Sequence, residues 1–395
     1  MNILYTNFHT KNGGGHTTYI LALAESLSAH HNVTIASPEG SCLLNQTRTT
    51  PGVAGIAFDF KPRFPKQLVS LRRLRRLIVE GDFDVIHVNG SADHRQVMLA
   101  TLGMLRRPAI VFTKHNDYPV RTFGNRLRAW FGTTHSIAVS DYVESFMRKS
   151  AYRAVSVVKH GVMANAGHHP SLRTQWQTYR AERFEEDGMS RIVLGSVAGT
   201  GLHKGWMNLV DALASLPEAQ RARFSVVIAG ELPPQDLLDT IRAKGVLAQL
   251  HFAGLVADKN EIFGCSDLSF VLSHRETLSY ACREAMSAGL PVIVADSGGL
   301  PENIDHGVNG WIVPAGNAPA IAHILKSILA HPESLATMGH AARQKSVTSF
   351  DFNAFVAETE GIYRSALNRG GVLTRRAIPQ KALAPVRSVP AEPAR

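Results

Sequence analysis

The sequence predicts an α/β fold that is repeated in two halves of the chain. Short apolar runs, typical of buried parallel strands, alternate with segments whose apolar residues recur at helical spacing, and this alternation starts again near residue 191. In both halves the first strand is followed by a glycine-rich turn and a helix, at residues 12–16 and 199–205. Because glycine lets the backbone approach a ligand closely, both turns are candidate ligand-binding loops.

Composition narrows the class of protein and of partner. The chain has 395 residues, of which 45% are hydrophobic and 19% charged, which indicates a globular protein long enough for two domains. A formal net charge of +10 favours an anionic partner. The three cysteines match no metal-ligand spacing, and the N-terminus lacks the features of a signal peptide. We therefore expect a cytoplasmic protein with buried thiols.

The expected domains are residues 1–165 and 190–350, separated by a polar linker at 165–190 and followed by a final helix at 351–368 and a loose tail at 370–395. The predicted strands are residues 2–6, 33–37, 85–88, 109–113, 136–139, 155–158, 191–198, 224–229, 250–253, 268–272 and 291–295.

The most informative stretch runs from Ser273 to Glu302. It follows an apolar strand and opens a helix that Gly289 and Pro291 close. Glu276 is at the strand-to-helix corner and Glu284 about two turns into the helix, which corresponds to a rise of roughly 12 Å. Two carboxylates at that separation bind different parts of one extended ligand rather than sharing a proton or a metal.

The start of this helix is a candidate phosphate site. The backbone N–H groups of Leu278 and Ser279 are free at the first turn, where the helix dipole is positive. A phosphate with a carboxylate on each side indicates a nucleotide diphosphate that carries a sugar. Lys204, in the glycine-rich turn of the second half, is a point charge suited to pyrophosphate; its alternative is a surface lysine.

The first half contributes a histidine and two aspartates. His115 follows the strand at 109–113, at the end of the sheet where ligands of α/β proteins collect. Asp82 and Asp84 precede a strand and therefore belong to the opposite end, so we predict no metal site.

A basic amphipathic helix is predicted from Lys66 to Val79. Its arginines could rest on an anionic membrane at about 1 kcal/mol each, or could form the solvated face of a helix that covers a sheet. Trp130 and Phe131, which follow further arginines, allow the same two interpretations. The arginines of the predicted helix are Arg72, Arg73, Arg75 and Arg76.

These features resemble the retaining family 4 glycosyltransferases of GT-B fold over nearly all of residues 1–368. The resemblance rests on the Glu-x7-Glu spacing of Glu276 and Glu284, with the run Glu-Ala-Met-Ser-Ala-Gly-Leu-Pro-Val-Ile-Val and the later Gly-Gly-Leu-Pro-Glu-Asn-Ile. It implies two Rossmann-like domains that face each other across a cleft, with the donor on the C-terminal domain and the acceptor on the N-terminal one. The final helix would cross back onto the first domain.

The resemblance also implies roles for single residues. Glu284 would bind the nucleotide ribose, and Glu276 would lie beside the transferred sugar. Lys204 would hold the pyrophosphate, and His115 would meet the sugar from the other domain. The remaining donor-binding candidates are Gly14, Gly15, Glu231, Leu278 and Ser279.

This chain departs from the family pattern at the phosphate and sugar positions. The arginine that usually precedes the lysine by five or six residues is absent, and His203 and Arg275 are the candidates for supplying its charge. Thr277-Leu278-Ser279 replaces the usual Gly-Phe-Gly, which alters the sugar pocket.

We therefore expect a metal-independent retaining hexosyltransferase that needs no cofactor and uses a nucleotide sugar, with UDP favoured. Its expected acceptor is a glycan or glycolipid such as lipopolysaccharide core, its expected place the inner face of the cytoplasmic membrane, and no nucleic-acid partner is expected. A non-catalytic scaffold of the same fold is one alternative. A dinucleotide oxidoreductase is the other, although Lys204 takes the place of its third glycine.

Overall fold

The computed structural model describes residues 1–10, 14–62, 66–163, 170–184 and 190–369. These residues form two parallel sheets. The strands of the first sheet are β1 (Asn2–Thr6), β2 (Asn32–Ser37), β3 (Val53–Ala57), β4 (Val85–Val88), β5 (Ala109–Lys114), β6 (His135–Ala138) and β7 (Val155–Val157). Those of the second are β8 (Ile192–Ser196), β9 (Phe224–Ala229), β10 (Leu250–Gly254), β11 (Leu268–Val271), β12 (Val292–Asp296) and β13 (Gly310–Pro314).

The helices alternate with the strands along the chain. Those of the first half are α1 (Gly15–Ser28), α2 (Cys42–Thr47), α3 (Gln67–Glu80), α4 (Ser91–Thr101), α5 (Phe123–Phe131) and α6 (Asp141–Met147). They are followed by α7 (Pro170–Phe184), α8 (Met207–Ala214), α9 (Glu218–Arg221), α10 (Gln235–Ala243), α11 (Asn260–Gly264), α12 (Tyr280–Ser287), α13 (Ala318–Ala330), α14 (Ser334–Ser349) and α15 (Phe352–Arg369).

Both sheets have the strand order of doubly wound domains. The order is β3-β2-β1-β4-β5-β6-β7 in the first sheet and β10-β9-β8-β11-β12-β13 in the second. Neighbouring strands pair in parallel throughout. Strands β4, β5, β6, β9 and β11 are buried along their whole length, because helices cover both faces of each sheet. The predicted fold, two Rossmann-like domains in one chain, is confirmed.

The last helix packs on the first domain, as the resemblance implied. Phe355, Ile362, Tyr363 and Ala366 of α15 belong to the hydrophobic core built on β1, β2 and α1. The hydroxyl of Tyr363 lies 2.8 Å from that of Tyr5 and 2.6 Å from Nδ1 of His87. A helix from the end of the chain therefore closes the N-terminal domain.

Three predictions about elements were incomplete or wrong. The supposed linker at 165–190 contains α7, whose Trp176 lies against Gly264 and whose Arg180 pairs with Asp267 at 2.7 Å between Nη1 and Oδ1. Phe184, at the end of this helix, is buried with Val193 and Val227 of the second domain. Strands β3 and β13 are edge strands that are only partly buried, which leaves little periodic signal. The proposed tail at 370–395 and Gly13 lie outside the described residues.

Candidate active site

The carboxyl ends of β8, β11 and β12 bring together the loops of the C-terminal side of the cleft. Glu276 lies in the loop between β11 and α12, and its Oε2 is 3.2 Å from Nζ of Lys204. Lys204 ends a short 3-10 turn, Leu202–Lys204, that follows β8. The two charged groups predicted to flank the donor are therefore in contact, with both side chains mostly buried.

A glycine holds the Lys204 loop against the Glu276 loop. Gly205 has a positive φ of 70°, and a Cβ at this position would be 1.9 Å from the carbonyl oxygen of Leu272. The N–H of His274 donates to the carbonyl of His203 over 3.0 Å. Only glycine allows this approach, so the Lys-Gly pair is a structural requirement of the site.

Two further glycines pack against the backbone of Glu276 and Thr277. A Cβ at Gly298 would be 1.8 Å from the carbonyl oxygen of Glu276, and one at Gly299 would be 2.0 Å from that of Thr277. The N–H of Gly299 donates to the carbonyl of Glu276 over 3.1 Å. The turn after β12 thus fixes the backbone that carries the carboxylate, a role that the sequence did not reveal.

Helix α12 starts two residues later than the sequence indicated. Leu278 is fully buried, and Ser279 is the N-cap, with a φ of 84° and its Oγ accepting from the N–H of Cys282 over 3.3 Å. The carbonyl of Leu278 accepts from Nδ2 of Asn303 over 2.7 Å. The N–H groups of Leu278 and Ser279 donate to no other described residue, so this turn keeps free donors although it precedes the helix.

Glu284 has a partner that the sequence analysis missed. Its Oε1 lies 2.6 Å from Nζ of Lys259, in the turn between β10 and α11. Lys259 follows a strand at the same end of the sheet as Lys204, and this position is the signal that could have identified it. The C-terminal side of the cleft therefore presents two lysine–glutamate pairs.

On the N-terminal side, His115 follows β5 as predicted. Its Nε2 lies 2.9 Å from Oδ1 of Asn89, and its ring is 4.3 Å from that of His16, centroid to centroid. His16 stands in the first turn of α1, directly after the glycine-rich turn. Gly15 lies close to the other domain, since a Cβ at this position would be in van der Waals contact with Cδ2 of Tyr280 at 3.7 Å.

Several polar atoms in this region are buried without a hydrogen-bond partner among the described residues. They include Nε2 of His9, Nδ1 of His16, Nε2 of His160 and the hydroxyl of Tyr280. The rings of His160 and Tyr280 are stacked with centroids 3.6 Å apart. Unpaired buried polar groups are costly, so their convergence in a cleft marks a place where a polar ligand would complete the hydrogen bonding.

Burial keeps the histidines of this cluster neutral. Desolvation lowers the pKa of His16 to about 3, and His9 and Lys114 add to the effect. Desolvation also lowers the pKa of His115 well below 6.5, with His16 as the next cause. A neutral imidazole both accepts and donates a hydrogen bond, which suits sugar hydroxyl groups.

Direct contacts join the two sides of the cleft. The Oγ1 of Thr277 donates to the carbonyl of His115 over 2.9 Å. The carboxylate of Glu302 accepts from the N–H groups of Asp141 and Tyr142, over 3.1 and 2.8 Å, at the first turn of α6. Glu276 and His115 are therefore held on facing loops of one cleft.

The two candidates for the missing phosphate charge differ in their surroundings. Arg275 makes a two-point ion pair with Asp117 of the other domain, at 2.9 Å from Nε and 2.6 Å from Nη2. His203 is exposed. Glu231 is also exposed, and its carbonyl, rather than its carboxylate, holds the loop by accepting from Thr200 Oγ1.

The arginines of α3 mostly contact the protein itself. Arg75 donates to the carbonyls of Ala100 and Leu102 at the end of α4, and Arg76 pairs with Glu80 at 2.6 Å. Arg73 lies over the ring of Phe58, 5.8 Å from its centroid, and Arg72 is exposed. The interpretation as a helix that covers a sheet fits Leu74 and Ile78, which are its buried residues.

Asp82 and Asp84, the two aspartates before β4, contact other parts of the first domain. Across the residues that the structure describes, no three or more His, Cys, Asp or Glu side chains are grouped so as to hold a metal ion. Asp84 instead accepts from the N–H of Asn2 over 2.8 Å, and Asp82 pairs with Arg106. Within the same ranges, each helix is too short or too polar to cross a membrane.

Comparisons with known proteins agree with the fold. The chain is 26% identical to EpsD of Bacillus subtilis (strain 168) over 326 residues, 78% of this chain and 83% of EpsD. The crystal structure of HepE from Anabaena in complex with UDP superposes with a TM-score of 0.78 at 20% identity, covering 92% of this chain and all of HepE. WaaG, a glycosyltransferase involved in lipopolysaccharide biosynthesis, superposes with a TM-score of 0.68 at 17% identity over 91% of this chain and 99% of WaaG.

Family models cover most of both domains. Residues 13–166 match the model described as Glycosyltransferase Family 4, and residues 180–345 match Glycosyl transferases group 1. Both models describe glycosyltransferases, so these matches argue against the alternative of a dinucleotide oxidoreductase. The chain thus belongs to the glycosyltransferases of GT-B fold, with a Family 4 domain followed by a group 1 domain.

Proposed function

We propose that the protein transfers a sugar from UDP to a surface-glycan acceptor with retention of configuration at the anomeric carbon. The observation that carries this proposal is the position of Glu276, which contacts Lys204 while the adjacent Thr277 bonds to the backbone of His115 in the facing domain. A sugar at this point would lie between a carboxylate and a neutral histidine, next to a cation for the departing phosphate.

The chemistry assigned to these residues follows from charge. Departure of the nucleoside diphosphate builds negative charge on a phosphate oxygen. Lys204 and the free N–H groups of Leu278 and Ser279 would stabilise that charge, and preorganised donors of this kind contribute roughly 10²–10³-fold in rate each. Glu276 would position the sugar and stabilise the positive charge that develops on it. Glu284 would bind the ribose and exchange its contact with Lys259 for the nucleotide.

Relatives support the donor and the acceptor class. HepE has been crystallised with UDP and with UDP-glucose, and WaaG takes part in lipopolysaccharide biosynthesis. At 17–20% identity these structures support a fold and a type of ligand rather than a particular sugar. We assign UDP to this chain on that basis, with lipopolysaccharide core as the leading acceptor.

Peripheral membrane binding is part of this proposal. Leu68 and Val69 at the start of α3 are 64% and 66% exposed, and Trp130 of α5 is 56% exposed. Helices α3 and α5 both pack against α4, and Arg72 of α3 is exposed. Flotation with anionic vesicles should be lost in Leu68→Ser/Trp130→Ser, and retention of flotation would remove the membrane from the proposal.

Donor profiling tests the nucleotide. The melting temperature should rise with UDP-sugars more than with GDP- or ADP-sugars, because a ligand that binds only the native state stabilises it. The variant Glu284→Ala should lose the shift. Glu333→Ala serves as control, since that carboxylate is exposed and pairs with the exposed His331. No shift with any of the three nucleotide classes would overturn the donor assignment.

Removal of Glu276 separates the enzyme from the scaffold alternative. In cells that lack the native gene, Glu276→Ala should abolish the surface glycan while the folded protein persists, whereas a scaffold would remain functional. The anomeric configuration of the product, read by NMR, tests retention directly. An inverted linkage would overturn that part of the proposal and leave the transferase assignment standing.

A further inference from the structure

A small cavity on the N-terminal side of the cleft has a cationic lining. It has a volume of about 130 Å³ and lies at the carboxyl ends of β4 and β5, with Asn125 and Arg128 of α5 also in its lining. His115 is part of its wall, so the cavity opens next to the predicted reaction centre. Lys114 and Arg128 also line it, and none of the described residues around it is acidic.

The lysine is buried and forms no direct ion pair with a described carboxylate. Lys114 is 5% exposed, and its ammonium group contacts the amide oxygen of Asn116. Burial lowers its pKa to about 8; the nearby Asp117 opposes this shift, and Arg128 adds to it. In the described part of the chain, no carboxylate forms an ion pair with either cation. A buried cation is costly unless an anion accompanies it.

The nearest carboxylates are engaged elsewhere. Asp117 is held by the two-point ion pair with Arg275. Asp93 accepts hydrogen bonds from Thr6 Oγ1 and from the N–H groups of Asn89 and Gly90 at the start of α4. Its carboxylate therefore occupies these two N–H donors, which an external anion could otherwise use. Arg128 contacts the amide oxygen of Asn125 and lies beside the hydroxyl of Tyr152, both neutral groups. Neither cation of the cavity therefore has a carboxylate in direct contact, and Asp117, which acts on Lys114 from nearby, is shared with Arg275.

We propose that Lys114 and Arg128 bind an oxyanion of the acceptor, a phosphate or a carboxylate, beside the hydroxyl that receives the sugar. The acceptor is then an anionic glycan rather than a neutral one. The identification of the bound molecule as the acceptor rests on the proposed function. The anion site itself rests on the cavity and its two cations. Arg128 offers the planar fork that suits two oxygens, and Lys114 offers a point charge.

Calorimetric titration of the full-length protein tests the site. Glucose 6-phosphate, glucuronate and neutral glucose are titrated in saturating UDP, which occupies the donor site. The first two probes distinguish phosphate from carboxylate. Wild type should bind at least one anionic probe and not glucose, and Lys114→Gln and Arg128→Gln should weaken binding about tenfold or more, the loss expected for a charge-assisted contact.

Arg126→Gln provides the matched control. Arg126 stands two residues from Arg128 on the exposed side of α5, so its replacement makes the same charge change outside the cavity. This control should bind like wild type. Arg128→Lys keeps the positive charge, so it should fold and retain part of the affinity. This variant keeps the test valid if Lys114→Gln does not fold. Equal binding by Arg126→Gln and Arg128→Gln, or no binding of either anion by wild type, would overturn the proposal.

The titration also separates this site from the donor assignment. If UDP does not bind but glucose 6-phosphate still depends on Arg128, the donor proposal fails and the anion site stands. If UDP binds and no variant changes the affinity for the anion, the anion site fails and the donor proposal stands.

Discussion

The two sides of the cleft handle charge in opposite ways. On the C-terminal side, Lys204 pairs with Glu276 and Lys259 with Glu284, so both glutamates of the predicted donor site face a lysine. On the N-terminal side, histidines are held neutral by burial, and the buried Lys114 contacts an amide oxygen rather than a carboxylate. The paired side can exchange one ionic partner for another if a charged nucleotide binds. The neutral side suits hydroxyl groups, and we propose that Lys114 and Arg128 add one place for an anion.

The largest expected effect comes from breaking a pair on the C-terminal side. Lys204→Ala removes the cation that we propose stabilises the leaving phosphate, and it leaves Glu276 without this partner, so we expect transfer to fall by roughly 10²–10³-fold in kcat. Steady-state kinetics with the identified donor would measure it. Lys244→Ala is the control, because that lysine pairs with Asp211 at 2.8 Å on the surface of the same domain. Equal activity in the two variants would contradict the assigned role.

A second change moves the loop without touching a charge. Gly205→Ala adds a Cβ 1.9 Å from the carbonyl of Leu272 at a positive φ, which should cost about 1–3 kcal/mol of stability and displace Lys204. Gly316→Ala is the control that measures the cost of a positive φ alone. Gly316 has a φ of 76°, and no heavy atom lies within 4 Å of an added Cβ. Chemical denaturation and UDP titration of both variants measure the difference. A similar loss of stability and of UDP affinity in both variants would contradict the close contact between Gly205 and the carbonyl of Leu272.

Acid should loosen the N-terminal domain before the C-terminal one. The folded protein keeps His16 neutral down to a pKa of about 3, whereas the unfolded chain protonates it near 6.5. Between these values the unfolded state binds more protons, so the free energy of unfolding falls as pH drops below 6.5. Other histidines of the first domain with a lowered pKa are His9, His31, His87, His94, His115, His135 and His160.

Hydrogen exchange at pH 7.5 and pH 5.0, corrected for intrinsic rates, would test this difference. Amides of β1, β4 and β5 should lose protection at the lower pH, and amides of β9 and β11 should lose less. In the second domain His251 is the described histidine whose pKa is lowered, by burial and then by Arg183. A uniform loss in both sheets would remove the contrast between the domains.

The smallest expected effect is at the ion pair that joins the two sides. Arg275 is exposed while Asp117 is mostly buried, so a double-mutant cycle of Arg275→Gln and Asp117→Asn should give a coupling of no more than about 1 kcal/mol, reduced by salt. Small-angle scattering should show a slightly wider cleft in Arg275→Gln. A coupling well above this range would mean that the pair holds the domains closed.

The parts of the fold and of the site that could be predicted are those that leave a signal within a short segment of sequence. The alternation of apolar runs predicted both sheets, and the strand ends predicted that His115 lies at the ligand-binding edge of its sheet, because parallel strands gather loops at one edge. The resemblance to the family 4 glycosyltransferases, rather than the strand ends, implied that His115 faces Lys204 and Glu276 across one cleft. Helix α7 was missed because its sequence is polar and mixed, and its described contacts through Trp176, Arg180 and Phe184 form only with the second domain. The start of α12 was misplaced because Leu278 is drawn into the core, which only its surroundings determine.

The sequence by itself determined the class of fold, the two glutamates and the order of the loops, since these depend on periodicity and spacing within short segments. Only the tertiary structure decided which charges meet. Arg275, expected near phosphate, is paired with a residue 158 positions away, and Lys114 and Arg128 converge on one cavity from β5 and α5. Such contacts depend on how two separately folded sheets and their helices pack, and no local pattern encodes that geometry.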